Sequence, residues 1–418
     1  MSQTWYPLCV SIRRLINVNI KNQKLDNCTL ITRQDPTAVT TSLGIWIRNG
    51  CRNEADHQTG FAHFLEHLVF KRTQKMTGKA LSTRFEMMGG HINAETGREM
   101  TAFHGTVPAA YGAELLEHFL QMLTQSAFDE NDFNNERGVV LQELAMLPDD
   151  PEEALEDFAT EHVLASHAIS RQILGTTDTL NNSSANEMHQ YIKQVISSAP
   201  ICIAATGNID TVAIQKLAEH YLPKPDTDTS TKKPAPEFVS THKELVLDCE
   251  QTHMIWIMPA IPYADSRHAT IEMANHMLAG GYDSRLYQLL REQLGLVYTI
   301  ESRVDNYSDT GLWFIQTNTE KNNATQVKDV VMKCLHTFIQ QGPTDTELEN
   351  TREHLKSSLI IEQDDSEIET ERMARDMLYL GRVTDPAERL RAYDSTTTDD
   401  IRCLLENSWK AVAFFHTT

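Results

Sequence analysis

The sequence is poor in paired cysteines and in long apolar runs. Its 418 residues include seven cysteines, an odd number, scattered without a CxxC pair. A disulfide framework or a structural zinc knot is therefore not expected, and reduced thiols in a cytoplasm-like compartment fit better. No stretch approaches the roughly 18 apolar residues that span a bilayer, so we expect no membrane span.

Positive charge is also scarce. The chain has 37 Lys and Arg against 58 Asp and Glu, which gives a net charge of −21. This charge repels phosphate backbones and argues against a nucleic-acid partner. Aromatic residues make up only 7% of the chain, but an apolar share of 40% suffices for packed cores. The length predicts two or more domains, because single cores stop growing below this size.

The amino-terminal segment, residues 1–23, lacks a basic start followed by an apolar stretch of signal-peptide length. We therefore expect no signal peptide and a cytoplasmic location. Because the segment contains basic residues and few acids, an organelle matrix stays open as the alternative.

One composition break divides the chain. Residues 222–237 read LPKPDTDTSTKKPAPE, and such a Pro- and Thr-rich segment predicts an extended linker. We expect an amino-terminal domain at 1–221, the linker at 222–237 and a carboxy-terminal domain at 238–418.

Both halves mix strand and helix patterns. The first half predicts strands at 39–48 and 99–107, and helices at 59–72, 78–88, 113–125 and 130–146. The second half predicts strands at 244–247, 254–258 and 311–317, and helices at 271–278 and 285–293. Two α+β domains follow, with a similar order of elements that suggests they are related.

The segment GFAHFLEHLVF at 60–70 is the most informative. Residues four apart on a helix lie on the same side, so His63 and His67 can direct two imidazoles at one point, and Glu66 shares that face. The apolar residues that can anchor the helix lie opposite: Phe61, Leu65 and Leu68. Two such imidazoles suit zinc, and a nearby carboxylate that does not bind the metal can take a proton from zinc-bound water. The plain alternative is two histidines that share a helix by chance.

A catalytic zinc site needs a third protein ligand. The predicted helix at 130–146 contains Glu136 and Glu143, two turns apart and so on one side. One of them can bind zinc while the other orients an imidazole. For either glutamate alone, a solvated acidic face is the default interpretation.

HxxEH is the inverzincin signature, and its surroundings resemble the pitrilysin/insulinase family of metallopeptidases, particularly the short-chain branch that includes mitochondrial processing peptidase. The segments similar to family motifs are HFLEHLVFK at 63–71, GGHINAET at 89–96, ERGVVLQE at 136–143, HAISRQILGT at 167–176, ATGNID at 205–210 and GGYDSRLYQLLREQLGLVY at 280–298.

The resemblance implies the composition of the metal centre. His63, His67 and Glu143 would bind one zinc ion per chain. Glu66 would be the general base, and Glu136 would support a ligand by hydrogen bonding.

The resemblance also implies how substrate is held. Asn93 and Ala94 would lie on an edge strand that pairs with the substrate backbone. Arg291 and Tyr298 would come from the other domain, hold the substrate and stabilise the tetrahedral oxyanion. Without the family, Arg291 is an ordinary helix arginine and Tyr298 an ordinary strand aromatic.

The implied fold has two related domains, each a mostly antiparallel sheet with helices packed on one face, forming half of a clam-shell chamber. The implied activity is endopeptidase cleavage of extended peptides or unfolded segments. Because a full chamber needs four domains, we expect a homodimer or a heterodimer with a related chain. Two rival interpretations are a non-catalytic subunit of the same fold and a zinc-dependent binding module without hydrolysis.

Small departures from the family pattern concern the substrate. His167 is followed by Ala instead of Pro, Gln142 stands where an acid is frequent, and His104 where an aromatic residue is frequent. Two acidic clusters, at 149–157 and 362–369, are expected to be mostly solvated. If they line the chamber, they would favour basic peptides.

Overall fold

A computed structural model describes residues 20–224, 234–408 and 410–418. The chain divides into two compact units, and each is assembled from separate stretches of sequence. The first contains the described residues within 1–140, 173–231 and 357–389, and the second those within 141–172, 232–356 and 390–418. The predicted domains, 1–221 and 238–418, are each one continuous stretch of sequence, and their boundaries stay a prediction. Parts of two predicted segments, residues 1–19 of the amino terminus and 225–233 of the linker, lie outside the described residues.

Eleven strands are present in the described ranges: β1 Ile20–Lys24, β2 Thr29–Gln34, β3 Thr40–Ile47, β4 His91–Thr96, β5 Thr101–Pro108, β6 Ile201–Gly207, β7 His242–Leu245, β8 Gln251–Ala260, β9 Ile300–Asn306, β10 Gly311–Glu320 and β11 Ala413–Thr417.

The α-helices of the same ranges are α1 Phe61–Val69, α2 Gly78–Met88, α3 Gly112–Thr124, α4 Glu130–Met146, α5 Pro151–Val163, α6 Thr177–Asn182, α7 Ala185–Ser198, α8 Thr211–Tyr221, α9 His268–Ala279, α10 Ala324–Gln341, α11 Asp345–Asp364, α12 Ser366–Leu380, α13 Pro386–Ser395 and α14 Thr398–Ser408. A π-helix spans Tyr287–Gln293.

The first unit is built on a six-stranded sheet in the order β1-β2-β6-β3-β5-β4. Its neighbouring strands are antiparallel except for the parallel pair β2 and β6. β4 is the outermost strand on one side. Within the described residues no strand pairs with its outer backbone edge, which is therefore available for pairing.

Helices cover both faces of this sheet, whereas the resemblance predicted helices on one face. Phe103 of β5 lies 6.4 Å from Phe119 of α3, ring centre to ring centre. Its neighbour Ala102 points the other way and packs against Met373 and Ala374 of α12. The reason lies in the central strand β3, which is buried from Thr41 to Ile47. A strand that is apolar on both faces requires a layer on each.

The second unit has a five-stranded sheet in the order β7-β11-β8-β10-β9, antiparallel except for β7 and β11. α9 packs on one face, where Asn275 accepts a hydrogen bond from the Ser302 hydroxyl at 2.5 Å. α5, which precedes the predicted linker in sequence, covers the other face and joins this cluster: Leu155, Ala159, Val163, Ile255, Ile257, Phe314 and Phe415.

The predicted fold class is confirmed: the protein has two α+β units with mostly antiparallel sheets. Each sheet takes one covering helix from the other half of the sequence, α12 for the first and α5 for the second. Within the described ranges, no helix combines the length and apolar character needed to cross a bilayer.

Candidate metal centre

α1 holds the two histidines and is fixed firmly to its unit. Its apolar side is buried, with Phe61 at 2%, Leu65 at 1% and Leu68 at 0% exposure. The buried carboxylate of Glu54 accepts hydrogen bonds from the backbone N–H of Gly60 at 3.0 Å and of Ala62 at 2.7 Å. A carboxylate at a helix amino terminus satisfies unpaired N–H groups and complements the helix dipole. The opposite side of α1 is thereby held in one orientation.

α4 supplies the two glutamates. Phe133, Glu136 and Val140 are its buried residues. Glu143 follows Glu136 by two turns and therefore lies on the same side of the helix. The contact-defined boundary between the units falls within this continuous helix, after Val140. By this division Glu143 is counted with the second unit, although it lies on the same continuous helix as Phe133, Glu136 and Val140 of the first unit.

The two helices bring three possible metal ligands together. One ligand atom from each of His63, His67 and Glu143 lies within 4.8 Å of the others. The two Nε2 atoms are 3.3 Å apart. Two ligands held tetrahedrally by zinc at 2.0–2.1 Å would lie about 3.3–3.4 Å apart. The donor set and its spacing therefore fit zinc.

Glu136 sets the orientation of His67. Its Oε1 lies 3.0 Å from His67 Nδ1, and its Oε2 contacts the Lys71 ammonium. When Nδ1–H donates to the carboxylate, the neutral ring presents an unprotonated Nε2 to the ligand cluster. This carboxylate–histidine pairing fixes the tautomer and raises the basicity of the ligand.

The pKa values in this cluster favour ligand binding. Burial lowers the pKa of His63 to about 4, and neighbouring His67 adds to the effect. His63 is therefore neutral at pH 7, as a metal ligand must be. Burial acts to raise the pKa of Glu136, but hydrogen bonds from His67 and Lys71 outweigh it and lower the pKa below its usual value.

Glu66 lies on the same face of α1 and contacts strand β4. The Thr96 hydroxyl donates to Glu66 Oε2 at 2.6 Å. Both side chains are half-buried. The predicted general base is therefore held beside the ligand cluster by a group from the sheet.

The predicted substrate-binding residues fall in two places. Asn93 and Ala94 lie on β4, the outermost strand of the first sheet. Arg291 and Tyr298 belong to the second unit. There the Arg291 guanidinium lies 5.1 Å from the Tyr287 ring centre and 4.8 Å from that of Tyr298, and Tyr298 is 77% exposed.

Sequence reasoning missed three contributors to the centre: Glu54, Lys71 and Thr96. Lys71 follows His67 by four residues, so helical spacing alone could have placed it on the side of the histidines. Thr96 stands within the recognised GGHINAET segment, where only Asn93 and Ala94 were assigned roles. Glu54 gave no signal, because its contact depends on the turn at Gly60.

Sequence comparisons identify related proteins along most of the chain. The family model described as Insulinase (Peptidase family M16) matches residues 29–177, and that described as Peptidase M16 inactive domain matches 182–355. An uncharacterised zinc protease of Bacillus subtilis is 28% identical over 84% of this chain and 86% of its own. The mitochondrial-processing peptidase subunit beta of Blastocladiella emersonii is 29% identical over 90% of this chain and 82% of its own.

Solved structures share the fold. A peptidase M16 inactive domain from Pseudomonas fluorescens superposes with a TM-score of 0.87 at 15% identity, covering 96% of this chain and 98% of the other. A protease from Helicobacter pylori gives the same TM-score at 16% identity, covering 96% and 100%. Together the two family models match more than half of the sequence, and the chain belongs to the insulinase family of peptidases, M16.

Proposed function

We propose that the protein is a zinc-dependent metalloendopeptidase that cuts extended peptides or unfolded segments. The observation that supports this best is the convergence of His63, His67 and Glu143 within 4.8 Å. Glu66 lies one residue before a ligand on the same helix. A metal-binding module without hydrolysis would not need this additional carboxylate.

The chemistry divides between the metal and the side chains. His63, His67 and Glu143 would hold zinc, which would supply Lewis acidity and lower the pKa of water to about 7. Glu66 takes the proton of the attacking water and delivers it to the nitrogen of the leaving amine. Glu136 keeps the His67 ring in the required tautomer throughout.

Substrate would bind as an added strand. In the part of the chain that the structure describes, no strand pairs with the outer edge of β4, so its backbone groups can accept a peptide next to the candidate metal centre. Asn93 and Ala94 lie on that strand. Arg291 and Tyr298 would hold the substrate and stabilise the oxyanion of the tetrahedral intermediate. These four roles derive from the family resemblance.

We further propose that the active form is a dimer of identical or related chains that encloses the substrate. The processing-peptidase relative is named as a subunit, which supports an assembly with a second chain. Extended, basic peptides would suit the net charge of −21. The scattered cysteines favour a cytoplasmic location, with an organelle matrix as the alternative.

The test compares the wild-type protein with Glu66→Gln. Both should bind one zinc per chain, because the substitution removes the base and keeps the ligands. Only the wild type should cleave a quenched peptide library. If both bind zinc and neither cleaves, the proposal is wrong and a non-catalytic subunit is favoured. If neither binds zinc, the metal centre itself is misassigned.

A further inference from the structure

The Thr96 hydroxyl has no role in the function proposed above, yet it makes a short hydrogen bond to the candidate base. Its Oγ1 lies 2.6 Å from Glu66 Oε2, within the range of strong O–H···O⁻ bonds. The Ala62 carbonyl lies 3.5 Å from the same hydroxyl, too far to compete. An ionised carboxylate only accepts, so the threonine must be the donor.

This bond joins two elements with different tasks. Glu66 stands on α1, between the proposed ligands His63 and His67. Thr96 is the last residue of β4, and among the described residues its backbone is paired on one side only, opposite Thr101 of β5. The other side of β4 is the sheet edge to which a peptide would add.

The residues expected to pair with a peptide and the residue that contacts Glu66 are close together along β4. Ala94 and Thr96 are two residues apart and so project to the same face of the sheet. A peptide paired with the backbone of Asn93 and Ala94 would restrain the strand directly before Thr96. The hydrogen bond from Thr96 would pass this restraint on to Glu66.

We propose that Thr96 is a positioning residue for Glu66, and that it links occupation of the β4 edge to the orientation of the base. This inference rests on the proposed peptidase function. Binding energy from substrate residues remote from the cleaved bond is then used in the transition state, where it raises kcat more than it lowers KM.

The test uses two substitutions at one position. Thr96→Val keeps the branched shape and removes the hydroxyl, whereas Thr96→Ser keeps the hydroxyl. We expect Thr96→Val to lower kcat about 10- to 100-fold, as loss of a supporting hydrogen bond does at metal centres. KM and the zinc dissociation constant should stay within about twofold of wild type, because no ligand is touched. Thr96→Ser should recover most of kcat.

A substrate series tests the link to the strand edge. In the wild type, lengthening a quenched peptide along the β4 edge should raise kcat. In Thr96→Val the same lengthening should change KM alone. Thr106→Val is the matched control: its hydroxyl lies 2.7 Å from that of Ser42 and 3.5 Å from the Glu367 carboxylate, on β5 and away from the ligands. That variant should keep the wild-type kcat.

Each outcome bears on the proposal. A wild-type kcat in Thr96→Val overturns the positioning role while leaving the peptidase function intact. Weakened zinc binding or a lowered Tm in Thr96→Val, without recovery in Thr96→Ser, also overturns it, because the role is then structural. A zinc-loaded wild type that cleaves nothing overturns the peptidase function and this inference with it. A loss confined to kcat and restored by serine supports it.

Discussion

At the scale of single residues, the centre is a chain of polar and charged side chains in contact and not a ligand triad alone. Lys71 contacts Glu136, Glu136 lies 3.0 Å from His67 Nδ1, and His67 Nε2 faces His63. Each member fixes the next. The ammonium thereby compensates a carboxylate that is only 5% exposed, where an unpaired charge is costly.

Replacing Lys71 should therefore weaken zinc binding without removing a ligand. We expect Lys71→Met to raise the zinc dissociation constant about 10- to 100-fold, since Glu136 loses the partner that keeps it ionised and placed. Competition with a chromogenic chelator measures this directly.

Lys71→Arg is the control, because it keeps the charge and should stay much closer to wild type than Lys71→Met. Equal zinc affinity in Lys71→Met and wild type would show that Glu136 is held adequately by His67 alone.

The sequence predicted which residues would come together, because they follow helical spacing within two short segments. His63, Glu66 and His67 come from one turn of α1, and Glu136 and Glu143 from two turns of α4. Their roles stay predictions. The contact between Thr96 and Glu66 was not predictable in the same way, because it depends on how a strand and a helix pack.

At the scale of elements, the start of α1 depends on two glycines that touch. Gly60 has φ of 95° and Gly175 has φ of 83°. A Cβ on Gly60 would lie 2.7 Å from Gly175 Cα and 2.9 Å from the Leu174 carbonyl oxygen. The segment 167–176, recognised by resemblance alone, thus ends against the turn that begins α1.

Gly60→Ala should destabilise the protein, because alanine disfavours the positive φ and because its Cβ would lie too close to Gly175. The left-handed φ alone costs on the order of 1–3 kcal/mol for a non-glycine residue, and the contact with Gly175 adds to it. Urea unfolding of the metal-free protein measures the change.

Gly138→Ala should instead increase the free energy of unfolding. Gly138 lies inside α4, is exposed, and a Cβ there meets nothing within 4 Å. Alanine in a helix interior should stabilise by about 0.5–1 kcal/mol. Equal unfolding midpoints for Gly60→Ala and wild type would contradict the steric argument.

Two of the predicted helices match the structure to the residue. The helices at 78–88 and 130–146 have the predicted bounds. The segment predicted as a helix at 285–293 contains a π-helix over Tyr287–Gln293, a form that side-chain periodicity does not reveal. The wider turn is frequent at functional sites, and here it holds Arg291 near two tyrosine rings.

At the scale of the whole molecule, the acidic clusters are not only solvated surface. Asp150 and Asp365 accept hydrogen bonds from backbone N–H groups at the starts of α5 and α12. Glu369 is 2% exposed and pairs with Arg372 at 2.8 Å. Part of the charge of −21 therefore stabilises helix ends and buried pairs.

The remaining acidity leads to a prediction about substrates. If it attracts basic peptides, kcat/KM for a cationic peptide should fall several-fold between about 0.1 M and 1 M salt, as the Debye length shortens from about 10 Å to 3 Å. A peptide of the same length with glutamine in place of lysine should change little. The same salt dependence for both peptides would argue against electrostatic selection.

The sequence could not predict that each sheet is covered on one face by a helix from the other half of the chain. Composition placed one linker at 222–237, and motif order suggested one domain on each side. Nothing in α12 indicates that Met373 and Ala374 pack beneath Trp46 and Ala102. Such long-range pairing depends on complementary apolar faces, and many helices present one.

The late position of α12 in the sequence has a consequence for synthesis on the ribosome. The strands of the first sheet are complete by Gly207, but the helix that covers their second face ends at Leu380. During the intervening 173 residues of translation, Ile31, Trp46 and Cys202 lack their final cover. The first sheet therefore matures late in synthesis, although its strands are made early. Fragments divided at the predicted linker, 222–237, would each leave one sheet face uncovered, so we expect the two halves to be soluble only when they are produced together.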